Sequence, residues 1–315
     1  MPPVIKPSKL RPHATIGIVA PASPMNPEKL ERGVRYLEKQ GYRVEIGTSV
    51  HQQRGHLAGP DDHRARDLMR MFERPDIDAI FCVRGGYGTP RLLPLLDYDL
   101  IRQHPKILVG YSDITALQLA LLKNAGLVTF TGPMVAVELA DEAFDPRTEE
   151  RFWRMLTGDP AAVEFLPLQE DGWQATIPQE VTGPLIGGCL SLVAAVLGTP
   201  YVPSFEGAIL LIEDVGEEPY RIDGYLAHLR NAGILQRIRG AVLGRFEDCV
   251  PKPDRPSLSL QQVLEDYFEP LAIPLIYQFD YGHGKIKHTL PIGLPVRMRK
   301  DPYRLELAEP VFSDA

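Results

Sequence analysis

The tetrapeptide Gly110-Tyr-Ser112-Asp113 stands where the apolar run Lys106–Gly110 hands over to a helix-type pattern from Ile114 to Asn124. A serine on so sharp a turn lifts its hydroxyl above the sheet, and the first helical N–H groups point at the same spot. Those groups and the helix dipole would stabilise the oxyanion formed when Ser112 attacks a carbonyl. The same residues also read as an N-cap serine with a first-turn acid, and the second glycine of a Gly-x-Ser-x-Gly elbow is missing. A second candidate is Arg84-Gly-Gly-Tyr-Gly88, which follows the apolar run Ala79–Val83. Glycines at a strand's carboxyl end let the backbone approach a ligand, either to cradle a phosphate or to supply an oxyanion donor. The loop is neither a Walker A nor a Gly-x-Gly-x-x-Gly loop, and a plain tight turn is its structural alternative.

Two further segments carry ionisable groups in suggestive places. Leu210-Leu-Ile-Glu213-Asp214 is an apolar strand that ends abruptly in acids, with Glu217, Glu218 and Arg221 just beyond. An acid ending a buried strand needs a partner, here a histidine or Arg221. Successive strand side chains point to opposite faces, so Glu213 and Asp214 cannot both aim at one histidine. Glu213 is expected to be the less solvated acid, and Asp214, Glu217 and Glu218 exposed ones. Tyr281-Gly282-His283-Gly284 sets a histidine between glycines. Serine, glutamate and histidine thus occur in the order Ser…Glu…His, one of several in which the catalytic triad recurs. His283 and His288 are five apart and no His-Glu-x-x-His motif occurs, so neither metal nor other cofactor is expected.

Elements that would position these residues are legible in the first 130 residues. Thr15–Ala20 is a β-branched run ending at Pro21; Asn26-Pro27-Glu28 reads as a helix start, with Leu30, Val34 and Leu37 as its apolar stripe and Gly41 as its end. Arg43–Ile46, Ala79–Val83 and Lys106–Gly110 are further strands, with a helix over about 61–73 between the first two. Such alternation predicts βαβ units and a mostly parallel sheet covered on both faces. The pattern lapses near Thr157–Pro160 and resumes at Leu185-Ile-Gly-Gly188, with strands over Ala208–Ile212, Gly240–Leu243 and Leu275–Phe279. A hairpin follows, Val296–Arg299 with Arg304–Leu307 about an Asp301-Pro302 turn. Two domains are expected, residues 1–160 bearing the serine and 161–315 bearing the glutamate and histidine.

Composition bounds the functional classes. With 34 Lys+Arg against 41 Asp+Glu the chain carries −7, which argues against nucleic acid, since phosphate neutralisation needs a basic face. No uninterrupted apolar stretch is long enough to span a membrane, and the N-terminus lacks a signal-type apolar core. Three cysteines without Cys-x-x-Cys spacing read as buried thiols, and a cytoplasmic location is expected.

Taken together, Ile16–Ser23, Arg84–Gly88, Gly110–Asp113, Glu213–Asp223, and Gly282-His283 followed by Thr289–Gly293 resemble the LD-carboxypeptidase family, which includes muramoyltetrapeptide carboxypeptidases and microcin C self-immunity proteins. The resemblance covers nearly the whole chain. It implies a serine peptidase with Ser112 as nucleophile, His283 as general base, Glu213 as orienting acid, and an oxyanion hole from the N–H groups of Asp113 and Gly86. It also implies a doubly wound α/β N-terminal domain, a smaller swivelling α/β C-terminal domain and a homodimer. The implied activity is release of the terminal D-alanine from a murein tetrapeptide in peptidoglycan recycling. A carboxypeptidase must also hold a free carboxylate, and Arg84, the cation nearest the nucleophile, offers a bidentate fork for it, with a structural ion pair as the alternative. The alternatives are cleavage of a peptidyl-nucleotide antibiotic, for which a tryptophan in the cleft would speak, and non-catalytic binding of a small ligand. Gly224, where an arginine is expected, and the basic stretch Gly284–His288 depart from the family pattern near the cleft and bear on the substrate.

Overall fold

The computed structural model describes residues 2–159, 163–169 and 172–313. The expected domain boundary near residue 160 lies outside the described residues. The first half alternates strand and helix: β1 (Thr15–Val19), α1 (Pro27–Lys39), β2 (Arg43–Ile46), α2 (Asp61–Glu73), β3 (Ala79–Cys82), α3 (Tyr98–Gln103), β4 (Ile107–Val109), α4 (Ile114–Asn124), β5 (Thr129–Thr131) and α5 (Pro146–Thr157). The second half contains β6 (Glu164–Phe165), β7 (Gln174–Thr176), β8 (Val181–Cys189), α6 (Leu190–Val196), β9 (Ile209–Glu213), α7 (Pro219–Asn231), β10 (Gly240–Arg245), α8 (Leu260–Phe268), β11 (Leu275–Gly282), β12 (Leu290–Ile292), β13 (Pro295–Lys300) and β14 (Tyr303–Leu307).

Local chemistry explains these elements. All five residues of β1 are buried, as β-branched residues in a parallel strand covered on both faces should be. Asn26 caps α1, its Oδ1 accepting from the N–H groups of Glu28 (2.8 Å) and Lys29 (3.4 Å), with Pro27 in the first turn. In α4 every residue from Ile114 to Leu122 is buried. A helix apolar on all sides belongs in the interior, and α4 packs against both α6 and β8 of the second half.

The strands form two sheets. In the first, of order β12-β5-β4-β3-β1-β2, strands β1 to β5 run parallel. The chain winds outward in opposite directions from the β1/β3 neighbours, so the loops after β1 and β3 flank the switch point where such sheets bind ligands. The second sheet, β6-β14-β13-β8-β9-β10-β11-β7, has a parallel centre from β8 to β11 and antiparallel flanks. The expected hairpin is β13–β14. One strand crosses between the halves: β12 pairs antiparallel with β5 and completes the first sheet. No helix among the described residues is long and apolar enough to cross a membrane.

Candidate active site

Ser112 sits between β4 and α4 with φ of +63°, a left-handed conformation uncommon outside glycine and a mark of a constrained turn. It does not cap α4: the cap position is Asp113, and no side-chain oxygen accepts from the helix's first N–H groups. The N-cap alternative for Ser112 therefore fails, because its hydroxyl is turned elsewhere. Ser112 Oγ lies 3.0 Å from His283 Nε2, and His283 Nδ1 lies 2.7 Å from Glu213 Oε2. A carboxylate can only accept, so Nδ1 donates its proton to Glu213 and Nε2 is left to accept from the serine.

Each partner is delivered by a strand end. Glu213 is the last residue of β9 and fully buried; His283 directly follows β11. Gly282 between them has φ of +112°, and a Cβ there would lie 2.5 Å from Glu213 Oε2, so only glycine lets the carboxylate nest against the strand end. Asp214, expected to be exposed, is instead buried, a correction that follows from its backbone partners. Its two oxygens accept from the N–H groups of Ser191 (2.7 Å) and Val215 (2.9 Å), and burial raises its pKa above the ordinary aspartate value. Glu217 and Glu218, also expected to be exposed, are half-buried, because Glu217 pairs with Arg221 and Glu218 with Lys252.

The Arg84–Gly88 loop runs directly against the nucleophile: a Cβ on Gly85 would lie 2.8 Å from Ser112 Cβ and 3.0 Å from its Oγ. Gly86 has φ of +113°. Ser23, at the end of the loop after β1, clamps this loop, its Oγ accepting from the N–H of Tyr87 (3.0 Å). From α2, the buried guanidinium of Arg64 donates to the carbonyls of Pro21 and Gly88 and pairs with Asp61, tying together the two switch-point loops. Asp113 is buried and accepts from the N–H of Thr89 (2.8 Å), so it joins α4 to the residue after the glycine loop; burial raises its carboxyl pKa. Arg84 is exposed, donates to the carbonyl of Pro24 (3.4 Å) and forms no ion pair among the described residues.

Sequence reasoning passed over Ser23, Arg64, Tyr111, Glu138 and Lys287. Arg64 had a signal, since it stands on the buried stripe of α2 with Ala65, Leu68, Met71 and Phe72. Within the basic stretch after His283 only Lys285 is exposed: Lys287 is buried against Glu138 (2.6 Å), and His288 is buried beside Phe165 and Phe279. Gly224 faces open space on α7. Neither tryptophan stands beside the serine: Trp153 packs on Tyr42 and Phe152, and Trp173 on Phe279. No group of His, Cys, Asp and Glu that could hold a metal is found among the described residues.

Known proteins resemble this chain in sequence and in fold. The LD-carboxypeptidase N-terminal domain matches residues 16–132 and the LD-carboxypeptidase C-terminal domain residues 182–298. The "Probable murein peptide carboxypeptidase" of Bacillus subtilis is 40% identical, over 93% of this chain and 91% of that protein. The murein tetrapeptide carboxypeptidase of Pseudomonas aeruginosa is 33% identical, over 88% and 91%. Among solved structures, a muramoyltetrapeptide carboxypeptidase from Oxalobacter formigenes superposes with a TM-score of 0.81 at 30% identity, covering 92% of this chain and 98% of that one. A structure of MccF with glutamyl sulfamoyl guanosine gives a TM-score of 0.89 at 24% identity over 98% and 100%, a likeness of fold.

Proposed function

This chain belongs to the LD-carboxypeptidase family and is a serine carboxypeptidase, and on that premise we propose that it releases the terminal D-alanine from a murein tetrapeptide in the cytoplasm, as a step of peptidoglycan recycling, acting as a homodimer. The observation that carries the chemistry is His283 bridging Ser112 and Glu213 across the two halves of the chain. In this reading Ser112 Oγ attacks the carbonyl of the penultimate residue while His283 Nε2 takes its proton. The N–H groups of Asp113 and Gly86 receive the oxyanion, Glu213 steadies the imidazolium, and His283 returns the proton to the departing amine of D-alanine. Water then attacks the acyl-enzyme, with His283 again as base, and Ser112 recovers its proton. Arg84, exposed on the loop that touches Ser112, is the group proposed for the free carboxylate of the substrate. Residues 1–160 and 161–315 remain the proposed domains.

The test is mass spectrometry of tetrapeptides ending in D- or L-alanine. Wild-type protein should free D-alanine, and Ser112→Ala should free none while keeping its fold, because alanine tolerates the Ser112 backbone about as well as serine does. Wild-type turnover by Ser112→Ala would overturn the serine mechanism. Release confined to an acyl-sulfamoyl-adenylate would overturn the murein substrate and move the activity to peptidyl-nucleotides.

A further inference from the structure

A buried cluster borders the His283 ring through Tyr111, and the triad does not use it. Glu138, from the segment after β5, accepts at Oε1 from Lys287 Nζ (2.6 Å) and from the hydroxyl of Tyr111 (2.8 Å), and at Oε2 from the N–H of Met134 (3.0 Å). The Lys287 ammonium lies 4.1 Å from the centroid of the Tyr111 ring. That ring meets the His283 imidazole edge to face at 5.1 Å and 71°. The side chains of Lys287 and Glu138 are 2% and 11% exposed. The segment bearing Lys287 is docked on α5 as well, with the Lys287 N–H donating to Thr148 Oγ1 (3.0 Å). Burial opposes the ionised form of Glu138, yet the charge and hydrogen bond of Lys287 prevail and hold its pKa below the ordinary glutamate value.

A buried ion pair is weak evidence for stability, because its desolvation cost can exceed its Coulomb gain. This pair is better placed to fix geometry. Tyr111 immediately precedes the nucleophile, Lys287 follows the base by four residues, and Glu138 fastens one to the other across the two halves. We propose that Glu138 and Lys287 are positioning residues which, through Tyr111, hold the His283 imidazole at the angle and distance that let it take the Ser112 proton. The proposal rests on the assignment of Ser112 and His283 as nucleophile and base. The paired charges stand behind the Tyr111 ring, so each offsets the other's field at the imidazole. The other ionisable groups around His283 are Glu213 with Asp214 behind it, Tyr281, and Arg245 and Glu247 flanking Gly284; the substitutions below leave all of them in place.

The experiment measures the rate at which a fluorophosphonate labels Ser112 between pH 5 and 9, a substrate-independent reading of nucleophile and base. Glu138→Gln leaves the Lys287 charge uncompensated, and the acid limb of the profile should move down by about half a pH unit or more. Lys287→Met leaves Glu138 uncompensated, and the limb should move up by a similar amount. In both, kcat for the peptide should fall about tenfold or more with KM little changed, as expected when alignment and not binding is lost. The double variant Glu138→Gln/Lys287→Met keeps shape and neutrality and guards against a single variant that cannot fold. Its limb should return to the wild-type position while kcat stays about tenfold low, since directed hydrogen bonds are still missing. A double variant with wild-type kcat, or single variants with wild-type limbs, would overturn the positioning role and leave a packing contact. Absence of labelling in the wild type would instead overturn the assignment of Ser112, and the positioning role with it.

Discussion

Glu213 and Asp214 are adjacent, both acidic and both buried, yet they do opposite jobs. The pleat of β9 sends Glu213 toward His283 and Asp214 toward the N–H groups of Ser191 and Val215. Glu213→Gln should therefore lower kcat/KM by about two to four orders of magnitude, by analogy with serine proteases in which loss of the triad acid costs up to about 10⁴. Asp214→Asn keeps an acceptor for the backbone and should cost less than about tenfold, with Glu217→Gln and Glu218→Gln similarly mild because their ion pairs, to the exposed Arg221 and Lys252, are open to solvent and contribute little. Comparing kcat/KM of the four at pH 8, with folding checked by circular dichroism, decides it; a crippled Asp214→Asn would shift the orienting role by one residue. This distinction was legible in the sequence because two-residue alternation is a local property. What could not be read there is that Asp214 is buried, since one of its partners, the N–H of Ser191, comes from the start of α6, 23 residues earlier in the chain.

At the scale of elements, a single glycine and a single histidine set the tolerances. Gly282→Ala places a methyl group 2.5 Å from Glu213 Oε2 at φ of +112°, so it should cost about 1–3 kcal/mol of stability. It should also reduce turnover toward the level of Glu213→Gln by displacing the carboxylate; a variant with normal kcat would show that β11 can yield. His288, between Phe165 and Phe279, donates from Nε2 to the carbonyl of Leu166 (2.9 Å), while its Nδ1 is buried without a partner. Protonating Nδ1 would bury an unpaired cation, and burial lowers this imidazole's pKa to about 4. The unfolded chain, titrating near 6.5, takes up the proton first, so the stability is complete above that pH and is lost as pH falls toward 4. Wild type should lose about 2 kcal/mol from this group between pH 7 and pH 5, and His288→Phe should lack that part of the decline in urea unfolding. Equal declines in the two proteins would remove His288 as the cause. Strands rich in β-branched residues were readable, whereas β8 was seen only in part, because Gly183, Pro184, Gly187 and Gly188 interrupt its pattern. Strands β6 and β7, of two and three residues, are too short to show a period at all.

Over the whole molecule the two halves are joined more closely than the lapse of pattern near residue 160 suggests. Strand β12 belongs by sequence to the second half and by hydrogen bonding to the first sheet. Thr131 and Tyr281 hydroxyls meet at 3.0 Å, the N–H of Cys189 donates to Thr115 Oγ1 at 3.0 Å, and Ser112 reaches His283. None of these contacts leaves a local trace, since each joins residues 74 to 171 positions apart, and periodicity reports only on near neighbours. The turns of the serine and the histidine drew notice, and their order and the family resemblance gave them roles, but the surfaces that bring them together left no trace in the sequence. Removing the second half would strip β5 of its outer neighbour and expose the apolar flank of α4, so the first sheet should not persist once the second unfolds. Calorimetry should accordingly record one cooperative transition, with calorimetric and van't Hoff enthalpies in agreement. The substitution Pro291→Asp in β12 should lower the temperature of that single transition without splitting it. Two resolved transitions in the wild type, or a split in the variant with Ser112 still labelled by fluorophosphonate between them, would mean that the halves fold independently and that the catalytic contact survives without β12.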